Sequence, residues 1–122
     1  MIAYITLGGI LGTLARYFLQ GVVQTRGGAF PLGTLAVNIL GSLALGFVMR
    51  LATGSGVVTP ELRGGLTIGF CGAFTTMSTF SYESMALLGD AEYWYAGLYM
   101  GGTIVGCLAA VMAGTALANK LL

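Results

Sequence analysis

Histidine is absent from this chain of 122 residues, and charged side chains are scarce. Five Lys and Arg residues and four Asp and Glu residues leave a net charge of +1, while 57% of the residues are hydrophobic. A soluble domain has roughly a quarter of its residues charged. Because only 7% are charged here, we expect the lipid bilayer rather than water to be the main solvent of this chain.

The lack of titratable side chains also argues against several classes of function. Without histidine, the serine and threonine hydroxyls have no base for a catalytic triad. No two carboxylates fall at mid-membrane depth within one apolar segment, and no glycine loop of the Walker type occurs. The small net charge provides no basic surface for nucleic acid. We therefore expect a protein that is not an enzyme and does not bind nucleic acid.

Cysteine and proline are rare too, with two residues of each. Both cysteines, Cys71 and Cys107, lie in apolar segments, so we expect buried thiols rather than a disulfide framework. The prolines and glycine-rich turns divide the chain into one domain of four apolar spans, at about 2–20, 33–51, 62–88 and 93–121. The first span lacks the basic start of a signal peptide, so we expect it to remain as a membrane helix.

A polar stretch, GFCGAFTTMSTF, interrupts the third span at residues 69–80. As one straight helix this span would measure about 40 Å, which exceeds a hydrocarbon core of about 30 Å. The surplus length and the polar stretch predict a break near residues 72–76. Irregular backbone at membrane depth is tolerated inside protein or around an ion or water path, and its free carbonyls can bind ions. The simpler alternative is a hydroxyl-rich kink that only packs helices.

The positive charges show almost no bias between the two sides of the membrane. With four spans, both termini lie on the same side of the membrane. That side carries three cationic residues, Arg50, Arg63 and Lys120, and the other side carries two, Arg16 and Arg26. Such a chain is able to insert in both orientations, and two opposed copies can then pair as inverted repeats do. Glycine pairs at helix-contact spacing also favour an oligomer. The alternative is a single orientation, fixed by the one extra charge or by a partner.

Several polar or aromatic residues at membrane depth each allow two interpretations. Asn38 can donate to an anion or bond a neighbouring helix. Met77 and Phe80 share one helical face, where the positive edge of an aromatic ring can meet an anion or simply pack. Tyr99 and Thr103, with Cys107, form a stripe along the fourth span that suits either an anion or helix contacts.

Two charged residues within the spans are harder to assign from sequence. Arg16 lies about one turn from the end of the first span, where extension of its side chain to the membrane interface is the simple interpretation. Glu83 lies beyond the expected break, and an arginine is a candidate partner for it, although the sequence does not say which one.

Three sequence segments carry a resemblance to a known family. GTLAVNILGSLALG (33–46), followed by GFCGAFTTMSTFSYE (69–83), resembles the paired signatures of the Fluc (CrcB-type) bacterial fluoride channels, and GTLARY (12–17) also fits. The resemblance implies an all-α membrane protein with four transmembrane helices per subunit, the third broken, in an antiparallel dual-topology homodimer. It implies passive fluoride export across the inner membrane through two pores at the dimer interface, with a sodium ion at the dimer centre.

The resemblance also assigns residues to the pores and to the sodium site. The sodium ion would be held by the backbone carbonyls of Gly72 and Thr75. The fluoride pore would be lined by Asn38, Met77, Ser78, Thr79, Phe80, Tyr99 and Thr103, with Cys107 at the end of the polar track.

Two positions depart from the family pattern, and two rival functions remain. Met77 stands where the family usually has phenylalanine, and Cys107 where a hydroxyl is usual; a polarizable thioether can still face an anion. One rival is a small dual-topology, proton-coupled multidrug exporter, but its hallmark is an acid in the first helix, where this chain has Arg16. The other is an assembly subunit that does not transport. Pairing with a distinct second subunit also remains open.

Overall fold

The structure is a computed structural model that describes all residues 1–122, and the chain is entirely helical. The elements in order are α1 (Ile2–Gln24), α2 (Leu32–Gly54), α3 (Pro60–Gly64), a π-helical segment (Gly65–Cys71), α4 (Gly72–Phe74), α5 (Met77–Gly89) and α6 (Tyr93–Asn119). The helices α1, α2 and α6 are each long and apolar enough to cross a membrane. The expected all-α class is therefore confirmed.

The helix α1 continues past residue 20, and the side chain of Gln24 ties its end to the loop that follows. The Gln24 amide nitrogen donates to the carbonyls of Gly28 and Phe30, at 3.2 and 3.0 Å, and its amide oxygen accepts from the Gly33 N–H at 3.0 Å. One side chain thus satisfies backbone groups of the loop and of the first turn of α2, which fixes a short antiparallel connection.

The third span is helical in two parts, residues 60–74 and 77–89, separated by two extended residues. Thr75 has φ −92° and ψ 158°, and Thr76 has φ −151° and ψ 110°. The helix restarts at Met77 because the Thr76 side chain caps it, accepting from the Thr79 N–H at 3.3 Å. The interruption lies within the stretch 72–76 that the sequence indicated.

Glycines allow α1 to pack closely on the π-helical segment. A Cβ on Gly8 would overlap the Gly65 backbone, one on Gly12 would overlap the Phe70 backbone, and one on Gly69 would overlap the Ile5 carbonyl. The two backbones therefore approach at a distance that only glycine permits, as small residues allow in membrane helices. This packing brings the middle of α1 beside the residues that lead into the break.

The helices α2 and α6 pack in the same way, through Gly46 against the Val111 backbone and Gly114 against the Leu43 carbonyl. In contrast, Gly97 and Gly101 of α6 face open space, because a Cβ added to either would meet no atom within 4 Å. The glycines thus divide into those that contact another helix of the same chain and those, such as Gly97 and Gly101, that no atom of the chain covers.

Little of the chain is buried: 21 of 122 residues. Large apolar side chains are exposed on every long helix, among them Leu7, Phe18, Val105 and Met112 at 62–73% exposure. A surface of this kind requires lipid or another subunit around it.

Candidate functional site: the groove at the break in the third span

The side chain of Asn38 in α2 hydrogen-bonds both the N–H and the carbonyl of Thr76 at the break, a pair of contacts that we call the clamp. Its side-chain oxygen accepts from the Thr76 N–H at 2.8 Å, and its side-chain nitrogen donates to the Thr76 carbonyl at 3.3 Å. The two bonds replace helical partners that an extended residue cannot have. Asn38 is 7% exposed, and its amide keeps one N–H that is not used by the clamp.

The break also frees the two carbonyls that the family resemblance assigns to sodium. In a continuous helix the Thr76 N–H would donate to the Gly72 carbonyl, but here it donates to Asn38. The Thr79 N–H would likewise donate to the Thr75 carbonyl, but here it donates to the Thr76 hydroxyl. Both carbonyls are thus deprived of their usual donors, and a carbonyl without its helical donor needs another partner.

Arg16 reaches the same region from α1. Its Nε donates to the Ala73 carbonyl at 2.9 Å, in a partly buried position. The guanidinium therefore binds backbone at the break. The expectation of an interfacial arginine did not foresee this contact, because the partner lies 57 residues away in sequence.

A groove of about 330 Å³ runs along the break between α2, α5 and α6. Most of the residues expected in the pore or the sodium site line it: Asn38, Gly72, Thr75, Met77, Phe80, Thr103 and Cys107. The lining also includes three hydroxyl residues that the sequence reasoning did not name, Ser42, Thr67 and Thr76. Ser42 lies one turn after Asn38, so helical spacing alone pointed to it.

No charged side chain lines this groove. Its polar atoms are hydroxyls, one carboxamide and backbone groups, beside the sulfur atoms of Met77 and of Cys71 and Cys107. Both cysteines are free thiols. Such a surface offers hydrogen-bond donors without a fixed charge.

The aromatic side chains beside the groove form a small cluster. The ring centroid of Phe80 lies 5.2 Å from that of Tyr99, with a 50° angle between the planes, and Phe30 meets Tyr99 edge-on at 5.7 Å. Phe80 is half-buried and reaches the groove, whereas Met77, one turn earlier, is 72% exposed. Packing against Tyr99 holds the Phe80 ring in one orientation.

Two hydroxyls of α6 are buried without a hydrogen-bond partner in the chain: Tyr99 Oη and Thr103 Oγ1. Thr103 lines the groove, while Tyr99 is fully buried behind Phe80. Buried polar groups are nearly always hydrogen-bonded, so the unpaired Thr103 hydroxyl, on a residue that lines the groove, is available to bond a water or a ligand there.

Ser78 and Thr79 lie in the capping turn of α5 and do not line the groove. The Thr76 hydroxyl donates to Thr79 Oγ1 at 2.9 Å and lies 3.4 Å from Ser78 Oγ. These hydroxyls hold the break in shape, and Ser78 is exposed at the surface beside Met77.

Glu83 has a hydroxyl rather than an arginine as its partner. Thr34 Oγ1 donates to the Glu83 carboxylate and accepts from Gln20 Nε2 at 3.0 Å. The three side chains link α1, α2 and α5 on the side of the membrane where α1 ends. No arginine is bonded to Glu83, and Arg16 donates to the Ala73 carbonyl.

The fold and groove define a class: a small helical membrane protein whose interrupted third helical segment opens an uncharged polar groove on the surface of the chain. The model of the family described as "CrcB-like protein, Camphor Resistance (CrcB)" matches residues 3–115. This chain belongs to that family.

Curated relatives cover almost the whole chain. This chain is 46% identical to the "Fluoride-specific ion channel FluC" of Chlorobaculum tepidum over 112 residues. The matched region covers 92% of this chain and 89% of the relative. Proteins of the same name from Geobacter sulfurreducens and Geotalea uraniireducens are 46% and 45% identical, over 96% and 98% of this chain and 95% and 98% of their own lengths.

Proposed function

We propose that this protein is a fluoride channel through which fluoride leaves the cell passively, down its electrochemical gradient, across the inner membrane. The observation that carries the proposal is the groove at the break, lined by uncharged donors in a chain whose relatives are named fluoride-specific channels.

The chemistry of the groove suits a small, strongly hydrated anion. A pore for such an ion must replace its water with donors and must still release it. The unpaired Thr103 hydroxyl, the remaining N–H of Asn38 and the ring edge of Phe80 supply positive ends of dipoles. Because no cationic side chain lines the groove, the anion is not held too tightly to leave.

The proposed assembly is an antiparallel homodimer with a pore on each side of the interface. One subunit leaves the groove open at its surface, where Met77 is 72% exposed and Gly72 is also exposed. The uncovered glycines of α6, Gly97 and Gly101, offer room for a second subunit. A twofold axis in the membrane plane brings both grooves to one interface, and each is then closed by the partner.

A structural sodium ion fits the carbonyls of Gly72 and Thr75. Both have lost the amide donors of a continuous helix, and unwound carbonyls at membrane depth are typical ligands of sodium. When bound, the ion supplies positive potential beside an otherwise uncharged path. The chain's own contribution is to hold the two carbonyls free through the Asn38 clamp and the Thr76 cap.

Fluoride efflux from liposomes tests the proposal. Purified protein in potassium fluoride liposomes should release fluoride rapidly once valinomycin provides a path for potassium, and chloride liposomes should release almost none. Proton-coupled drug uptake would identify the exporter instead. Silence from purified protein would contradict a self-sufficient channel and indicate an assembly subunit or an obligate pair of different subunits.

A further inference from the structure

Arg16 is an ionisable side chain within an apolar helix, and it has no carboxylate partner. Its single hydrogen bond in the chain is the one from Nε to the Ala73 carbonyl. Charged groups in membrane helices are costly and mark function when they persist. A purely interfacial role does not explain a side chain directed at the break.

The Ala73 carbonyl lies, along the chain, between the two carbonyls proposed for sodium. The break releases the carbonyls of Gly72 and Thr75 from helical donors. Ala73 belongs to the last turn before the break, and Met77, four residues later, begins a new helix. Arg16 therefore supplies a donor to one of several freed carbonyls and leaves its neighbours without one.

A charged donor at this point also restrains the backbone. Hydrogen bonds from a guanidinium are shorter and stronger than neutral ones, and the chain holds Arg16 in place through the glycine contact of Gly12 with the Phe70 backbone one turn away. The peptide plane of Ala73 is then fixed relative to α1. Because successive peptide planes are linked, this also limits the directions of the Gly72 and Thr75 carbonyls.

The rest of the guanidinium has a polar surface beside it. Thr13, Gln20 and Gln24 lie with Arg16 along one concave face of α1, at a spacing of three or four residues, and this face ends at the loop after α1. Water entering along this face can solvate the remaining N–H groups, which makes the charge tolerable at this depth.

We infer that Arg16 is a positioning residue: by binding the Ala73 carbonyl it orients the Gly72 and Thr75 carbonyls toward the sodium ion. The inference rests on the proposed function, and specifically on the sodium site.

The test compares Arg16→Ala with Arg16→Lys and with Arg26→Ala, a matched loss of an exposed loop arginine. Fluoride efflux is measured at a series of sodium concentrations, with a large organic cation replacing sodium. We expect the sodium concentration for half-maximal efflux to rise about tenfold or more in Arg16→Ala. It should rise less in Arg16→Lys, which keeps a charged donor, and stay unchanged in Arg26→Ala.

Amide hydrogen exchange provides a second readout that does not depend on transport. Exchange at residues 75–79 should accelerate about tenfold in Arg16→Ala, while residues 110–118 of α6 should exchange as in the wild type. Should Arg16→Ala not assemble, the same two measurements on Arg16→Lys decide, with a smaller change in the same direction expected.

The outcomes separate the two proposals. If the wild type depends on sodium and neither the sodium requirement nor the exchange changes in the Arg16 variants, the inference is overturned and the channel stands. Faster exchange with an unchanged sodium requirement also overturns it, because the contact then does not orient the carbonyls. If wild-type efflux does not depend on sodium, the proposed sodium site is wrong, and the inference drawn from it is overturned. Unchanged amide exchange at residues 75–79 in Arg16→Ala would further show that the Arg16–Ala73 hydrogen bond does not restrain the break.

Discussion

Replacing Asn38 by aspartate tests the path of the anion most directly. The change keeps an oxygen that can accept from the Thr76 N–H at 2.8 Å, so the main bond of the clamp survives. It removes the donor to the Thr76 carbonyl, a 3.3 Å bond, and the N–H that remains for an anion. It also places a negative charge at the wall of the groove.

The size of the effect follows from Coulomb repulsion. Two like charges about 4 Å apart repel by about 1 kcal/mol in water and by about 4 kcal/mol at an effective dielectric constant of about 20. Because about 1.4 kcal/mol corresponds to a factor of ten, fluoride efflux should fall between about fivefold and about a thousandfold. The groove is partly enclosed, so we expect a loss of at least about tenfold.

The assay is valinomycin-triggered efflux, with dimer content measured by size-exclusion chromatography in the same preparations. Asn119→Asp is the matched control, because Asn119 is exposed at the end of α6 and its oxygen accepts from Arg50 Nε, which an aspartate would also satisfy. Wild-type efflux from a dimeric Asn38→Asp protein would refute the reasoning and remove Asn38 from the path.

Four further predictions follow from the same geometry. Phe80→Ile should nearly abolish efflux without loss of the dimer, because the ring that Tyr99 orients is gone; unchanged efflux would show that the ring does not face the anion. Met77→Phe should keep efflux within a few-fold of the wild type, since Met77 is exposed and unpacked in the subunit, and an inactive dimer would contradict its placement. Labelling of Cys107 by a methanethiosulfonate reagent should slow efflux several-fold, and Cys107→Ser should be insensitive although Cys71 remains; equal inhibition of both would place the reactive thiol elsewhere. Gly12→Val should destabilise the fold by about 1–3 kcal/mol through overlap with the Phe70 backbone, measured as a lower thermal unfolding temperature, whereas Gly9→Val, which meets no atom, should not.

The break in the third span could be located from sequence because its causes are local. Hydroxyl residues at 75, 76, 78 and 79 compete for backbone groups and can cap a new helix, and the structure shows Thr76 doing so. The partner that makes the break tolerable is not local. Asn38 is 38 residues away from Thr76, and either of its two possible roles fitted the sequence; the structure shows that it holds the break, and its role toward an anion stays a prediction.

The charged residues show the same limit more clearly. An arginine was the partner expected for Glu83, yet Glu83 accepts from Thr34, while Arg16 binds a backbone carbonyl. The arginine partner of Glu83 was predicted from charge alone, and that prediction was wrong. Which side chains meet depends on the distance between two helices, and this distance depends on how closely the glycines let the helices pack.

By itself, the sequence determined the apolar surroundings, the all-helical class and the position of the break near residues 72–76, since each depends on composition or on neighbouring residues. Only the tertiary structure decided which glycines contact another helix of the chain, which carbonyls lose their helical donors and which group Arg16 binds. Those features arise from backbones brought together across tens of residues, and in lipid no water is available to satisfy a polar group that the packing leaves unpaired.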